Sequence, residues 1–127
     1  MSEHPNAGLL RRMYEAVDPE VLRELIAEDA VWHQPGRTRL AGTYEGRDAI
    51  VEFLAAVDEA SDATVSFEVI AILADDQRVV SIHRETAQRE GRSLDTTNVL
   101  RADVRDGKLA EFWIYLGDPY GEADFWS

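Results

Sequence analysis

The sequence of 127 residues contains no cysteine. This absence excludes disulfide bonds, thiolate-ligated zinc or iron–sulfur sites and a cysteine nucleophile. Long apolar runs are also missing, since none approaches the ~20 residues that a membrane-spanning helix needs. Residues 1–6 lack the positively charged and apolar regions of a secretory signal. We therefore expect a cytoplasmic protein that does not associate with a membrane.

Positive charge is scarce as well. The chain has 13 basic and 25 acidic residues, a net charge of −12, and Lys108 is its only lysine. Repulsion from a polyanion argues against nucleic acid as a partner. The acidic residues are scattered rather than gathered into a run, which is typical of a solubilising surface. A site for a cationic partner is the alternative interpretation.

The remaining composition is that of a globular protein. Apolar residues make up 45% of the chain, and the length suits one domain with a core of its own. No repeat, low-complexity tract or linker divides the chain. We therefore expect a single domain over residues 1–127.

The first half of the chain has helical periodicity. Apolar residues recur on one face over residues 6–17 and again over residues 47–60, and Asp18-Pro19 predicts the start of a short second helix. Residues 30–34 read as a strand, and residues 37–46 as a loop.

The second half alternates with a period of two. Strands are predicted over residues 65–73, 78–89, 92–104 and 108–117, joined by short turns. Helices followed by sequential hairpins predict an α+β fold, with the helices packed on one face of a curved, mainly antiparallel sheet.

The hairpin loops predict which side chains share a face. A two-residue loop at Glu90-Gly91 pairs His83 with Asn98 and Glu85 with Thr96. A three-residue loop at residues 105–107 pairs Leu100 with Phe112, whereas a two-residue loop would exchange the faces of the last strand. With the longer loop, the inner face is apolar around a polar cluster of His83, Glu85 and Asn98. The opposite face is charged and aromatic, which suits a subunit interface.

The polar cluster has several possible roles. His83 suits an acid or base, and Glu85 suits a base or a group that orients the histidine. An ion pair with an arginine is the alternative for Glu85, and ordinary hydrogen bonding is the alternative for Asn98. Only one of Trp32 and His33 can point inward. The spacing of the histidines matches no standard metal site, and nucleotide-binding motifs are absent, so no metal or cofactor is expected.

Four segments carry a family resemblance. They read LRRMYEA at residues 10–16, LIAEDAVWHQPG at 25–36, LAGTYEGRDAI at 40–50 and VRDGKLAEFW at 104–113. In order and spacing, the chain resembles the SnoaL-like and ketosteroid-isomerase-like proteins of the nuclear-transport-factor-2-like superfamily. The resemblance implies a conical α+β barrel, in which three N-terminal helices and a strongly curved sheet enclose a cavity. It also implies a homodimer through the outer face of the sheet.

The resemblance carries over to the catalytic residues only in part. Tyr14 falls where ketosteroid isomerases place an oxyanion-donating tyrosine, and their second donor falls at Asn98 or Leu100. Their general base falls at Gln34, which cannot accept a proton, and this argues against steroid isomerisation by that mechanism. The Asp–Arg–Asp set of the family's epoxide hydrolases has no convincing counterpart here.

The leading functional hypothesis is a pocket protein for a small hydrophobic, oxygenated ligand. Its chemistry would be proton transfer without a cofactor: isomerisation, dehydration, cyclisation or epoxide opening. A non-catalytic binding or dimerisation module is the alternative, and an adaptor using the outer aromatics is a third reading. The catalytic candidates are His83, Glu85, Tyr14 and Asn98. The substrate-binding candidates are Trp32, Gln34, Phe53, Leu100, Phe112, Ile114 and Leu116. The aromatic tail over residues 118–126 is expected to pack over the cavity mouth or onto a partner.

Overall fold

The computed structural model describes residues 3–127, which form four helices and one six-stranded sheet. The helices are α1 (Pro5–Glu15), α2 (Pro19–Leu25), α3 (Arg47–Ala60) and α4 (Pro119–Phe125). The strands are β1 (Ile26–Gln34), β2 (Gly42–Glu45), β3 (Ser66–Ala74), β4 (Arg78–Arg89), β5 (Arg92–Arg105) and β6 (Lys108–Tyr115).

The sheet is mixed, with the strand order β2-β1-β6-β5-β4-β3. Strands β1 and β6 run parallel, and every other neighbouring pair is antiparallel. The sheet curves into a cone without closing through hydrogen bonds, because β2 and β3 remain edge strands. The predicted α+β fold, with helices packed against a strongly curved sheet, is confirmed.

Two Asp-Pro pairs start helices. The Asp18 carboxylate accepts a hydrogen bond from the Glu20 backbone N–H, and Pro19 occupies the first turn of α2. Asp118 repeats this arrangement at α4, where it accepts from the Gly121 backbone N–H. The aromatic tail therefore folds into a fourth helix, with Phe125 and Trp126 buried against the end of the β4–β5 hairpin.

The β4–β5 hairpin has the predicted register. Glu90 and Gly91 both adopt positive φ, at 51° and 77°, as a two-residue hairpin turn requires. Arg89 therefore pairs with Arg92, and His83 lies directly opposite Asn98.

The β5–β6 hairpin differs from the prediction. Its loop is the two-residue pair Asp106-Gly107, so the expected three-residue loop over 105–107 is wrong. A β-bulge then changes the register, because Val104 pairs with Leu109 whereas Asp103 pairs with Glu111.

The extra residue in this bulge is Ala110. It reverses the alternation of the strand, so Phe112 and Ile114 still face inward despite the shorter loop. Leu100 consequently pairs with Ile114 instead of Phe112.

Other boundaries also differ from the expectations. Strand β1 begins at Ile26 rather than at residue 30, and residues 42–45 of the expected loop form β2. Strand β3 has a register shift between Val69 and Ala71, which turns Leu73 outward. None of the helices within residues 3–127 is long and apolar enough to cross a lipid bilayer.

The core lies between α1, α3 and the concave face of the sheet. Leu10 from α1, Ile50 from α3 and Phe112 from β6 are fully buried there. Because the sheet curves away from the helices beyond this core, a space remains between the two layers.

Candidate functional site

That space is a cavity of about 560 Å³ with a predominantly apolar wall. The substrate-binding candidates on the wall are Trp32, Gln34, Phe53, Leu100 and Ile114. All four catalytic candidates, Tyr14, His83, Glu85 and Asn98, also line it. Phe112 and Leu116 are not on the wall. Phe112 is buried behind Trp32, with 4.9 Å between the stacked ring centroids.

Strand β1 decides between Trp32 and His33. Trp32 points into the cavity, and its Nε1 donates to Gln34 Oε1 at 3.0 Å. His33 lies on the outer face, where its Nε2 is 2.6 Å from Glu111 Oε2 and its ring stacks on Trp113.

Tyr14 and His83 form one polar group of the cavity. The helical periodicity of α1 turns Tyr14 toward β4, where its hydroxyl is 2.5 Å from His83 Nδ1 and 2.7 Å from Ser81 Oγ. His83 Nε2 has no hydrogen-bond partner within residues 3–127, although the side chain is only 3% exposed.

Burial keeps both of these groups uncharged. Desolvation lowers the pKa of His83 to about 4, because a buried imidazolium loses its hydration. Desolvation likewise raises the pKa of Tyr14 to about 12, assisted by the Glu85 charge and opposed by the Ser81 hydrogen bond. At neutral pH the pair is therefore a neutral imidazole beside a phenol.

Glu85 and Asn98 form the second polar group, together with Glu122 from α4. Asn98 Nδ2 donates to Glu85 Oε2 at 3.0 Å and to Glu122 Oε1 at 3.3 Å. Trp126 Nε1 donates to Glu122 Oε2 at 2.9 Å, and the Gly117 backbone N–H donates to Asn98 Oδ1 at 3.1 Å. Asn98 is thus engaged in holding two carboxyl groups.

The second polar group contains a carboxyl that keeps its proton at neutral pH. Burial, together with the neighbouring Glu122 carboxylate, raises the pKa of Glu85 to about 8, and the hydrogen bond from Asn98 opposes this rise. Glu85 is therefore a neutral carboxylic acid at pH 7. Its side chain accepts a hydrogen bond from Asn98, and the arginine ion pair considered as its alternative is not found within residues 3–127.

Glu122 and Trp126 both line the cavity, although the site candidates named from the sequence did not include them. The signal was present in the Asp118-Pro119 helix start and in the four-residue spacing of Glu122 and Trp126, which places both side chains on one helical face. The position of that face against Glu85 depends on a tertiary contact, which sequence spacing does not show. Arg89 Nη1 donates to the carbonyls of Phe125 and Ser127 at 3.2 and 2.9 Å.

No metal centre is formed by the side chains that the structure describes. Within residues 3–127, no three His, Asp or Glu side chains are grouped so that they could hold a metal ion.

Comparison with known proteins identifies the family. The model of the SnoaL-like domain matches residues 9–112, which is most of the chain. The chain belongs to the SnoaL-like domain family. The predicted family is thereby confirmed. Helix α4, with Glu122, and the following Trp126 lie outside the residues that the family model matches.

Similar proteins agree with the SnoaL-like fold. Bal32a, from a soil-derived mobile gene cassette, has a TM-score of 0.93 and 34% identity over 97% of each chain. The uncharacterized protein Rv0034 of Mycobacterium tuberculosis is 28% identical over the full length of both chains. TerC, co-crystallised with polyporic acid, has a TM-score of 0.78 and 22% identity over 89% of this chain and 92% of its own, a likeness of fold.

Proposed function

We propose that this SnoaL-like protein catalyses proton transfer on a small hydrophobic, oxygenated molecule without a cofactor. One observation carries the proposal. A neutral imidazole and a neutral carboxylic acid, His83 and Glu85, lie at successive inward positions of β4 in a predominantly apolar cavity.

The spacing of the two groups suits a ring-sized substrate. Successive inward residues of a strand are about 7 Å apart, so one ligand can reach both. His83 Nε2 would take a proton from a carbon next to a carbonyl, while Glu85 gives its proton to the carbonyl oxygen, forming an enol. Return of the first proton to a different carbon, and of the enol proton to Glu85, completes an isomerisation with no net change in the protein.

Tyr14 positions the base in this proposal. If His83 Nδ1–H donates to the Tyr14 hydroxyl, and that hydroxyl donates to Ser81, the lone pair of His83 is left on Nε2. The apolar wall supplies the binding energy and excludes water from the reacting groups. The co-crystallisation of the similarly folded TerC with polyporic acid supports a small organic ligand for this cavity.

A non-catalytic binding module is the second candidate, and Gln34 favours it. The side-chain oxygen of Gln34 accepts a hydrogen bond from Trp32 Nε1, and the Gln34 amide cannot take up a proton. A cavity with an inert amide at this position can hold a ligand without turning it over.

A screen of hydrophobic enones, lactones and epoxides separates the two candidates. Ligand-observed NMR would report binding, and mass spectrometry with chromatography would report products. We expect turnover by the native protein and its loss in both His83→Ala and Glu85→Gln, because each variant removes one of the proton-exchanging groups.

Arg84→Gln is the matched control, since Arg84 neighbours both residues on β4 but points to the outer face and pairs with Asp95. We expect its turnover to equal that of the native protein. Binding without any product supports the binding module, and unchanged turnover in both cavity variants contradicts the catalytic proposal.

We further propose that the outer face of the sheet forms a homodimer, as the family resemblance implies. Ile82, Val99 and Tyr115 form one cross-strand row on this face, and Tyr115 is 49% exposed. Beside them, the Arg101 guanidinium lies 4.3 Å from the centre of the Trp113 ring. An aromatic and arginine-containing patch of this kind is typical of interface centres.

A further inference from the structure

We infer that Glu122 is the second carboxyl of the proton-transfer centre, so that Glu85 and Glu122 work as a pair that shares one proton. Helix α4 is then part of the active site rather than a cover for it. The catalytic role of this pair rests on the proposed function, whereas the sharing of a proton is a property of the protein alone.

The geometry around Asn98 brings the two carboxyls together. The Gly117 backbone N–H donates to Asn98 Oδ1, which fixes the orientation of the amide and points its NH₂ group into the cavity. The two hydrogens of that one nitrogen go to Glu85 Oε2 and Glu122 Oε1. Two carboxyl groups held by a single amide nitrogen lie within range of strong mutual repulsion if both are ionised.

The cavity offers no positive charge to relieve that repulsion. Within residues 3–127, neither an arginine nor the lysine lines the cavity. The other titratable groups on its wall are Tyr14 from α1, Asp58 from α3 and His83 from β4, and His83 is neutral because it is buried. A shared proton is the remaining way to hold one negative charge instead of two, as in other buried carboxyl pairs.

The retained charge has partners on the side of Glu122. Trp126 Nε1 donates to Glu122 Oε2, and Asn98 donates to Oε1, so both oxygens of this carboxylate accept a hydrogen bond. Glu122 is also only 4% exposed. These contacts favour the proton on Glu85, which faces the cavity at the next inward position of β4 from His83.

Glu122 thereby sets how strongly Glu85 holds its proton. When Glu85 passes the proton to a ligand oxygen, the pair briefly carries two negative charges. Repulsion within the pair then favours return of the proton from the enol to Glu85, which restores the starting state. No proton is gained or lost over the cycle.

Carboxyl ¹³C NMR titration of the native protein tests the pair without any substrate. We expect one glutamate with a midpoint well above the ordinary range, assigned through its loss in Glu85→Gln. The Glu122 carboxyl signal should also shift at that midpoint, because it senses the charge that appears on Glu85. A Glu122 signal that stays flat while Glu85 titrates overturns the inference, and this result needs no variant of Glu122.

Glu122→Gln sharpens the test, because glutamine retains an oxygen for the Trp126 N–H but removes the charge. We expect the Glu85 midpoint to fall by about one pH unit or more, the size of a close like-charge interaction. Glu52→Gln, an exposed change of the same kind on α3, is the control and should leave the midpoint unchanged. An unchanged midpoint in Glu122→Gln overturns the inference.

The two proposals fail separately. Absence of turnover on every compound counts against catalysis and leaves the titration intact. Turnover with independently titrating carboxyls counts against the pair alone.

Discussion

Arg84 and Glu85 are neighbours in β4, yet their side chains lie on opposite faces of the sheet. On the outer face, Arg84 binds Asp95 through two hydrogen bonds of 2.8 and 2.6 Å, and this contact lowers the pKa of Asp95. On the inner face, the described residues place another acid and neither arginine nor lysine around Glu85, and burial raises its pKa to about 8. The two faces of the same pair of strands therefore hold a charged carboxylate, Asp95, and a carboxylic acid, Glu85.

The two strand histidines repeat the contrast. His33 on the outer face binds the Glu111 carboxylate and stacks on Trp113, as a histidine in a hydrated polar cluster does. His83 on the inner face contacts a phenol, and burial lowers its pKa to about 4. What each side chain can do with a proton follows from the face that it occupies, because the surroundings of the two faces differ in water and in charge.

The largest expected difference between the faces is in packing. Phe112→Ala should reduce the free energy of unfolding by about 3–5 kcal/mol, because it leaves a hole in a fully buried part of the core. The adjacent Trp113→Ala, on the outer face, should cost the monomer distinctly less. Urea unfolding monitored by far-UV circular dichroism measures the free energy of unfolding of both variants. Equal losses would contradict the face assignment of β6.

The next difference is in the pH dependence of stability. The Glu85 carboxyl has an ordinary pKa of 4.5 and a folded pKa of about 8, so the unfolded chain releases its proton first. Folding stability from this group is complete below pH 4.5 and is lost as the pH rises to 8. Since one pKa unit corresponds to about 1.4 kcal/mol, the loss should amount to a few kcal/mol.

Glu85→Gln removes this loss of stability at alkaline pH. The free energy of unfolding of the variant and of the native protein, measured from pH 4 to 8, tests this expectation. We expect the variant to match the native protein near pH 5 and to exceed its free energy of unfolding at pH 8. His83 acts in the opposite direction, since its folded pKa is lowered, and its contribution is lost as the pH falls from 6.5 to 4. In the native protein this loss opposes the gain from Glu85 over the same range, so the acid-side loss should be plain only in Glu85→Gln. An identical pH profile in the two proteins would show that Glu85 is not a buried acid.

A smaller effect is expected at the outer face, on association. Tyr115→Asp should raise the dissociation constant of the proposed homodimer about 30-fold, because a charge replaces a central aromatic contact worth about 2 kcal/mol. Light scattering across a dilution series measures the mass. A native protein that is monomeric at every concentration removes the proposed dimer.

The smallest effect is expected for Asp95→Asn. Its ion pair with Arg84 is exposed to water, so the unfolding temperature should change little and the change should vanish in high salt. A large loss, persisting in salt, would mean that this part of the outer face is covered in solution.

The sequence predicted which side chains of β4 and β5 face inward more completely than it predicted the residues of the site. The register of β4 and β5 follows from the two turn residues Glu90 and Gly91, and with it the juxtaposition of His83 and Asn98. This works because hairpin pairing is local, and each two-residue turn fixes the partners beyond it.

The parts that escaped prediction depend on distant contacts. Strand β2 has four residues and owes its form to pairing with β1, which no local periodicity records. The place of Glu122 depends on α4 folding back, where Arg89 binds its terminal carbonyls. Sequence spacing shows that Glu122 and Trp126 share a helical face, but not what that face covers.

The bulge at Ala110 has a consequence for how such hairpins change length over evolutionary time. A single inserted residue would normally turn a whole strand inside out and expose its apolar set. Because Ala110 already absorbs one residue in β6, a deletion there can compensate an insertion beside Asp106-Gly107, leaving Phe112 and Ile114 facing the core. Homologous hairpins that differ by one residue in the loop can therefore line the same cavity with equivalent side chains.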